Sequence, residues 1–220
     1  MAIRYLYLDD EQLTTVEPYR DIVVGSSKEL SIDIEHPGDF ADYTELIEKI
    51  KTKKYQGLIL DWRLDDVSSK KTKRKAVSRA AALAQEIRTR ESEKKMLSLP
   101  IVIWSQENRL KNSYKSDFTS HDLFNSVYKK EEIVDNADKI HNELVSLALG
   151  YKKITKFRTE NRNLNLGALL NSKDNYIDIR IQEYFSTNIQ TVHQTAGFII
   201  RELLERPGLL IDERLLLNFD

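Results

Sequence analysis

The stretch IRYLYLDDE, Ile3 to Glu11, is a mostly apolar run that stops abruptly on three acids. A strand buried on both faces reads as such a run, and carboxylates placed where it stops lie at the carboxyl edge of a parallel sheet, where open α/β folds build their sites. A second run, Leu58 to Leu60, ends on Asp61 in the same way. Asp9, Asp10 and Asp61 gathered at one edge ask for a divalent cation.

Working outward, three further short apolar runs follow the same rhythm: Leu30 to Ile34, Ile101 to Trp104 and a weaker one at Asn125 to Tyr128. Amphipathic stretches lie between them, at Pro18 to Gly25, Tyr43 to Thr52, Ala76 to Lys95, within Arg109 to Asp117, and at Ile133 to Leu149. Strands alternating with crossover helices predict an α/β fold, a five-stranded parallel doubly wound sheet of flavodoxin-like type. Gly150 falls where a helix C-terminus favours glycine, so the fifth helix is expected to end there. Residues 1–149 then form one domain, 150–175 a polar linker and 176–220 a small, mostly α-helical C-terminal region, the start of a longer output domain in one reading.

In that last region Ile177, Ile181, Tyr184 and Phe185 recur at helical spacing, as do Phe198, Ile199, Leu203 and Leu204. Pro207 and Gly208 break the pattern before the apolar segment Leu209 to Phe219. Such surface must be covered, by the first domain, by a second copy in a homodimer or by a protein effector.

Composition excludes several functions. The 220 residues carry a formal net charge of −1 with 31% charged residues of mixed sign, which gives no global field for nucleic acid or an anionic membrane. Cysteine is absent, so disulfides, thiolate metal sites and cysteine nucleophiles are excluded. The four histidines, His36, His121, His141 and His193, show no ligand spacing. No apolar run approaches a membrane span and the first residues lack a signal-peptide pattern, so the expectation is a cytoplasmic protein. One local charge run, Lys70, Lys71, Lys73, Arg74 and Lys75, follows Asp61; it reads as a solvated, mobile insertion or as an electrostatic guide for a phosphorylated donor or an acidic partner.

Four motifs in order, LDDE at Leu8 to Glu11, ILDWRL at Ile59 to Leu64, PIVIWSQ at Pro100 to Gln106 and SVYKKE at Ser126 to Glu131, resemble the receiver domain of two-component response regulators over residues 1–149. The resemblance implies Asp61 as phosphoacceptor, Ser105 and Lys129 as ligands of the phosphoryl group, and Mg²⁺ held by Asp9, Asp10, Asp61 and the backbone carbonyl of Arg63. It implies a phosphorelay signalling role, a histidine kinase or phosphotransfer protein as partner, and no turnover chemistry of its own. The chemistry agrees, because a carboxylate attacks a phosphoryl donor only once the donor's charge is neutralised. The pattern departs at Lys130, where the family has proline, which leaves Lys129 and Lys130 as alternatives for the inward cation. It departs again at Ser126, which stands at the place of an aromatic switch residue, and at Gln106, which replaces a small one.

Two other readings stay beside this one. A pseudo-receiver scaffold would keep the acids without being phosphorylated. A DNA-binding regulator would use residues 151–220, but ten Lys/Arg against nine Asp/Glu there, with no cationic helix face, argue against nucleic acid. A haloacid-dehalogenase-like phosphatase would need an acid two residues after Asp61, where Arg63 stands.

Overall fold

The computed structural model describes residues 2–76, 78–115, 120–160, 165–170 and 177–205. Five parallel strands, β1 (Ile3–Leu8), β2 (Leu30–Glu35), β3 (Gly57–Leu60), β4 (Ile101–Ser105) and β5 (Ser126–Lys129), form one sheet in the order β2-β1-β3-β4-β5. The crossovers carry α1 (Leu13–Val24), α2 (Tyr43–Lys53), α3 (Ala80–Ser92) and a short α4 (Glu107–Arg109) that runs into a π-helical turn at Leu110–Tyr114. A 24-residue helix, α5 (Ala137–Glu160), follows β5. This is the flavodoxin-like doubly wound order, whose reversal point between β1 and β3 opens a crevice at the carboxyl edge.

The two-residue period of the strands divides the core. Leu6, Leu8, Leu58, Leu60, Ile101 and Ile103 face one side, with Leu46, Ile47 and Ile50 of α2 and Leu83, Ala84 and Ile87 of α3. Ile3, Tyr5, Tyr7, Ile59, Val102 and Trp104 face the other, with Val16 and Val23 of α1 and Ile140 and Leu144 of α5. Both faces are covered, which is why these strands read as unbroken apolar runs. At the β1–β3 seam Tyr5 pairs with Gly57, and a Cβ on Gly57 would come within 2.1 Å of the Tyr5 ring. The ring crosses that bare position, and its hydroxyl donates to the Leu144 carbonyl at 2.8 Å.

Several sequence expectations shift. α1 starts at Leu13 and holds Pro18 inside it, because burying Val16 outweighs the hydrogen bond that proline removes. α3 starts at Ala80, later than the expected Ala76, so the loop after Asp61 is longer. α5 runs through Gly150 instead of stopping there: a Cβ at Gly150 would meet nothing within 4 Å, and Tyr151 and Ile154 beyond it are buried. The first eleven residues of the expected linker, 150–160, are therefore helix.

The basic side chains after Asp61 are exposed, as a solvated insertion requires, while Ser69 and Thr72 between them hydrogen-bond to the loop at Gly38 and Asp39. Ser69 is buried, its hydroxyl donates to Asp39, and it accepts the N–H groups of Lys71 at 3.1 Å and Thr72 at 3.3 Å. The Thr72 hydroxyl donates to the Gly38 carbonyl at 2.7 Å. A side chain on Gly38 would strike the Arg74 carbonyl at 2.2 Å, so the glycine permits this docking.

Contacts divide the chain into two units, residues 1–149 and 150–220. Within the second, α6 (Leu166–Leu170), α7 (Ile179–Asn188), α8 (Val192–Gly197) and a π-helical turn (Phe198–Leu204) are described. Their core contains Tyr151, Ile154, Leu166, Leu169, Phe185, Ile189, Phe198 and Leu203. Arg158 ties it, donating to Thr195 Oγ1 at 3.0 Å and to the Gln190 carbonyl. α8 opens with a reciprocal capping box between Thr191 and Gln194. Of the two periodic sets, Phe185, Phe198 and Leu203 are buried here while Tyr184 and Leu204 stay exposed; Pro207, Gly208 and Leu209 to Phe219 lie outside the described residues. Among the described residues no helix is long and apolar enough to cross a membrane.

Candidate functional site

The carboxyl ends of β1, β3, β4 and β5 bring Asp9, Asp10, Asp61, Ser105 and Lys130 to one edge of the sheet. All five are buried. A charged group goes below the surface only with partners, and the partners are specific.

Lys130, immediately past β5, puts its Nζ 2.7 Å from Asp9 Oδ2, 3.2 Å from Asp61 Oδ1 and 3.5 Å from Glu11 Oε2. Burial works against the charge of Lys130, but Asp61 and Asp9 more than offset it and hold its pKa above the ordinary lysine value. Lys129, assigned to the phosphoryl group from the sequence, turns outward to Glu107 at 3.0 Å and Glu132 at 2.7 Å. The reason is where the strand stops. Lys129 is the last residue of the ladder, and Lys130 opens the 3-10 turn Lys130–Glu132 that carries its side chain into the acidic edge. Side-chain exposures of 38% for Lys129 and 2% for Lys130 decide the matter.

Asp61 lies between two cations. Lys130 faces Oδ1, while Arg109 Nη1 sits 2.9 Å from Oδ2, the oxygen that also accepts the Arg63 N–H at 2.9 Å. Burial pushes the Asp61 carboxyl up and the charge of Asp9 adds to it, with Lys130 and Arg109 opposing. Asp9 accepts from the Tyr7 hydroxyl through Oδ2 and from the Glu11 N–H through Oδ1 at 2.9 Å. Burial, then Asp9, hold the Tyr7 phenol well above its usual range, so it stays a donor. Asp10 accepts from the Val67 N–H through Oδ2, while its buried Oδ1 has no hydrogen-bond partner. Burial raises the Asp10 carboxyl against the opposing amides of Val67 and Asp66. Ser105 Oγ is likewise buried and without a partner.

Arg109, Lys130 and Tyr7 are the residues that sequence reasoning missed or left open. Arg109 lies four residues past Ser105, at the end of the short α4, and no sequence pattern signalled it. The side chain of Arg63 goes to Asp65 at 3.2 Å and Asp66 at 2.7 Å, not to the acids of the edge. Gln106 donates to Glu11 Oε1 at 3.1 Å, closing the side next to Arg109.

Among the described residues no three metal-ligating side chains converge as a preformed cage. The donor set nevertheless suits Mg²⁺, which takes hard oxygens, keeps several waters and needs only one or two protein carboxylates. The orphaned Asp10 Oδ1 is the atom such an ion would satisfy. A cleft of about 380 Å³, bordered by Asp9, Asp10, Glu11, His36, Ser69 and Lys70, leads to these acids.

No family model matches this sequence. No curated protein matches it either. The solved structures that resemble the chain are mostly response regulators. They include the Legionella pneumophila response regulator LqsR (11% identity, TM-score 0.44, covering 78% of this chain and 50% of that one) and NtrX from Brucella abortus in complex with ADP (18%, TM-score 0.38, 71% and 33%). A third is RcsB from Salmonella enterica serovar Typhimurium bound to promoter DNA with a phosphomimetic (13%, TM-score 0.39, 99% and 98%). An adenylate cyclase from Rhodopirellula baltica also appears (11%, TM-score 0.41, 71% and 98%). The chain spans about a third of the NtrX structure and half of LqsR. Likeness at this level carries no function across; strand order gives the fold, and the site stands on its own geometry.

Proposed function

We propose that residues 1–149 form a receiver-type signalling module that accepts a phosphoryl group on Asp61. One observation carries the reading: the ammonium of Lys130, from the end of β5, bridges Asp9 from the end of β1 and Asp61 from the end of β3. Three strand ends supply one buried charge network of the kind a phosphoryl acceptor needs.

In the proposed reaction an Asp61 oxygen attacks the phosphorus of a phosphohistidine on a kinase or phosphotransfer partner. The P–N bond breaks, the imidazole nitrogen takes the electron pair and a proton, and Asp61 becomes an acyl phosphate. Lys130 holds the incoming phosphoryl oxygens, and the unpartnered hydroxyl of Ser105 donates to one of them. Asp10 and Asp61 would hold Mg²⁺ directly, Asp9 through water, and the Arg63 carbonyl would complete the set. Mg²⁺ supplies charge neutralisation between donor and acceptor. Filling the bond left open at Ser105 biases the surface at the ends of β4 and β5, which passes the signal on as a population shift. The readout would be a protein contact, a homodimer or an effector; a cytoplasmic kinase-linked setting fits this chemistry.

A second reading, an unphosphorylated scaffold, is favoured by one observation: Lys130 and Arg109 pair with both carboxylate oxygens of Asp61. Incubation with Mg²⁺ and acetyl phosphate, followed by intact mass measurement of the wild type and Asp61→Ala, separates the two. An acid-labile adduct of one phosphoryl group on the wild type alone supports the acceptor. With no adduct, and no binding of the beryllofluoride mimic, the scaffold reading stands instead.

A further inference from the structure

Arg109 sits on the first turn past β4 with one guanidinium nitrogen on the buried acceptor. Nη1 is 2.9 Å from Asp61 Oδ2, and Nη2 is 3.6 Å from Asp66 Oδ2 and 3.9 Å from Glu11 Oε1. The Asp61 side chain is 0% exposed and that of Arg109 21%, so a partly exposed guanidinium covers a fully buried carboxylate. Burial works against its charge, and Asp61, then Glu11 and Asp66, hold its pKa above the ordinary arginine value.

Two features of chemistry make this more than an ion pair. Lys130 faces Oδ1 of Asp61 and Arg109 faces Oδ2, so a cation stands beside whichever oxygen carries a phosphoryl group. A phosphoryl group brings about two negative charges and three acceptor oxygens, and the planar fork of arginine matches that geometry where a lysine gives only a point charge. Before transfer, the same guanidinium competes with any divalent cation for Asp61 and Glu11.

We propose that Arg109 is a second cationic ligand of the phosphoryl group on Asp61, leaving the carboxylate oxygen for the phosphoryl oxygens once they are present. The assignment rests on the acceptor reading above. It makes Arg109 a cover for the empty acceptor and a clamp on the filled one. Its two roles have opposite signs. Removing the cover strengthens cation binding, and removing the clamp weakens phosphoryl binding.

The test uses the full chain and its own tryptophans, since Trp62 directly follows Asp61. Mg²⁺ is titrated into wild type, Arg109→Gln and Arg109→Ala by tryptophan fluorescence or calorimetry, and beryllofluoride is then titrated at saturating Mg²⁺. Both variants are expected to bind Mg²⁺ at least as tightly as wild type and beryllofluoride about tenfold or more weakly, the range for a lost hydrogen bond to a charged group. Beryllofluoride affinity equal to wild type overturns the proposal while leaving Asp61 as acceptor. Equal losses for Mg²⁺ and beryllofluoride also overturn it, since a merely structural arginine would produce them. Wild type that binds no beryllofluoride overturns the acceptor reading and this proposal with it.

Discussion

The ammonium of Lys130 lies 3.2 Å from Asp61 Oδ1 while its neighbour Lys129 faces Glu107 and Glu132. Two adjacent lysines thus have opposite electrostatic settings, one buried among acids and one exposed. Lys130→Ala strips Asp9 of its buried ammonium and leaves Asp61 and Glu11 with Arg109 alone, and is expected to cost about 3 kcal/mol of stability in the absence of divalent cations. Lys129→Ala removes only exposed, solvent-screened pairs and is expected to leave stability nearly unchanged. Urea unfolding of both variants checks this, and equal losses would contradict the placement of Lys130.

Ser105 separates folding from function. Its buried hydroxyl has no hydrogen-bond partner, so Ser105→Ala removes an unsatisfied polar group and is expected to leave stability unchanged or slightly raised. The same variant is expected to bind beryllofluoride more weakly. Thermal denaturation paired with beryllofluoride titration reads both signs, and a marked loss of stability would show that the hydroxyl is bonded in the fold.

Asp33 gives a pH dependence away from the site. Burial alone would raise its carboxyl, but the Tyr55 hydroxyl at 2.7 Å and Arg4 at 2.7 Å outweigh burial and bring it below the usual aspartate value. A depressed folded pKa means that the charged form favours the fold. The stabilisation is present above the unfolded pKa of about 3.9 and is lost as pH falls through the lower folded value. Asp33→Asn is therefore expected to melt below wild type at neutral pH, with the gap closing in acid. A gap that is constant with pH would refute the charge argument.

Gly57 tests the β1–β3 seam. An added Cβ would fall 2.1 Å from the Tyr5 ring, which is itself fully buried and tied to Leu144. Gly57→Ala is expected to cost about 1–3 kcal/mol through overpacking. The double variant with Tyr5→Leu, which withdraws the ring, is expected to lose less than the sum of the two single changes. Additive losses in that cycle would mean the ring is not the obstacle.

The amino-acid sequence by itself determined the sheet and its acidic edge. Strands buried on both faces must be apolar throughout, and a run that ends on carboxylates can put them only at the strand end, so the positions of Asp9, Asp10 and Asp61 were legible from local pattern. The tertiary structure decided what surrounds them. Whether Lys129 or Lys130 turns inward depends on where β5 ends and the 3-10 turn at Lys130–Glu132 begins, which the two adjacent lysines do not announce. Arg109 reaches Asp61 across 48 residues of chain, through a helix whose short length no periodicity announced. Gly150 looked like a stop, yet packing of Tyr151 and Ile154 carries the helix onward to Glu160. Local pattern fixes which groups reach the edge of the sheet; long-range packing alone selects which charges meet there, because charge pairing falls off over a few ångströms while sequence separation sets no distance at all.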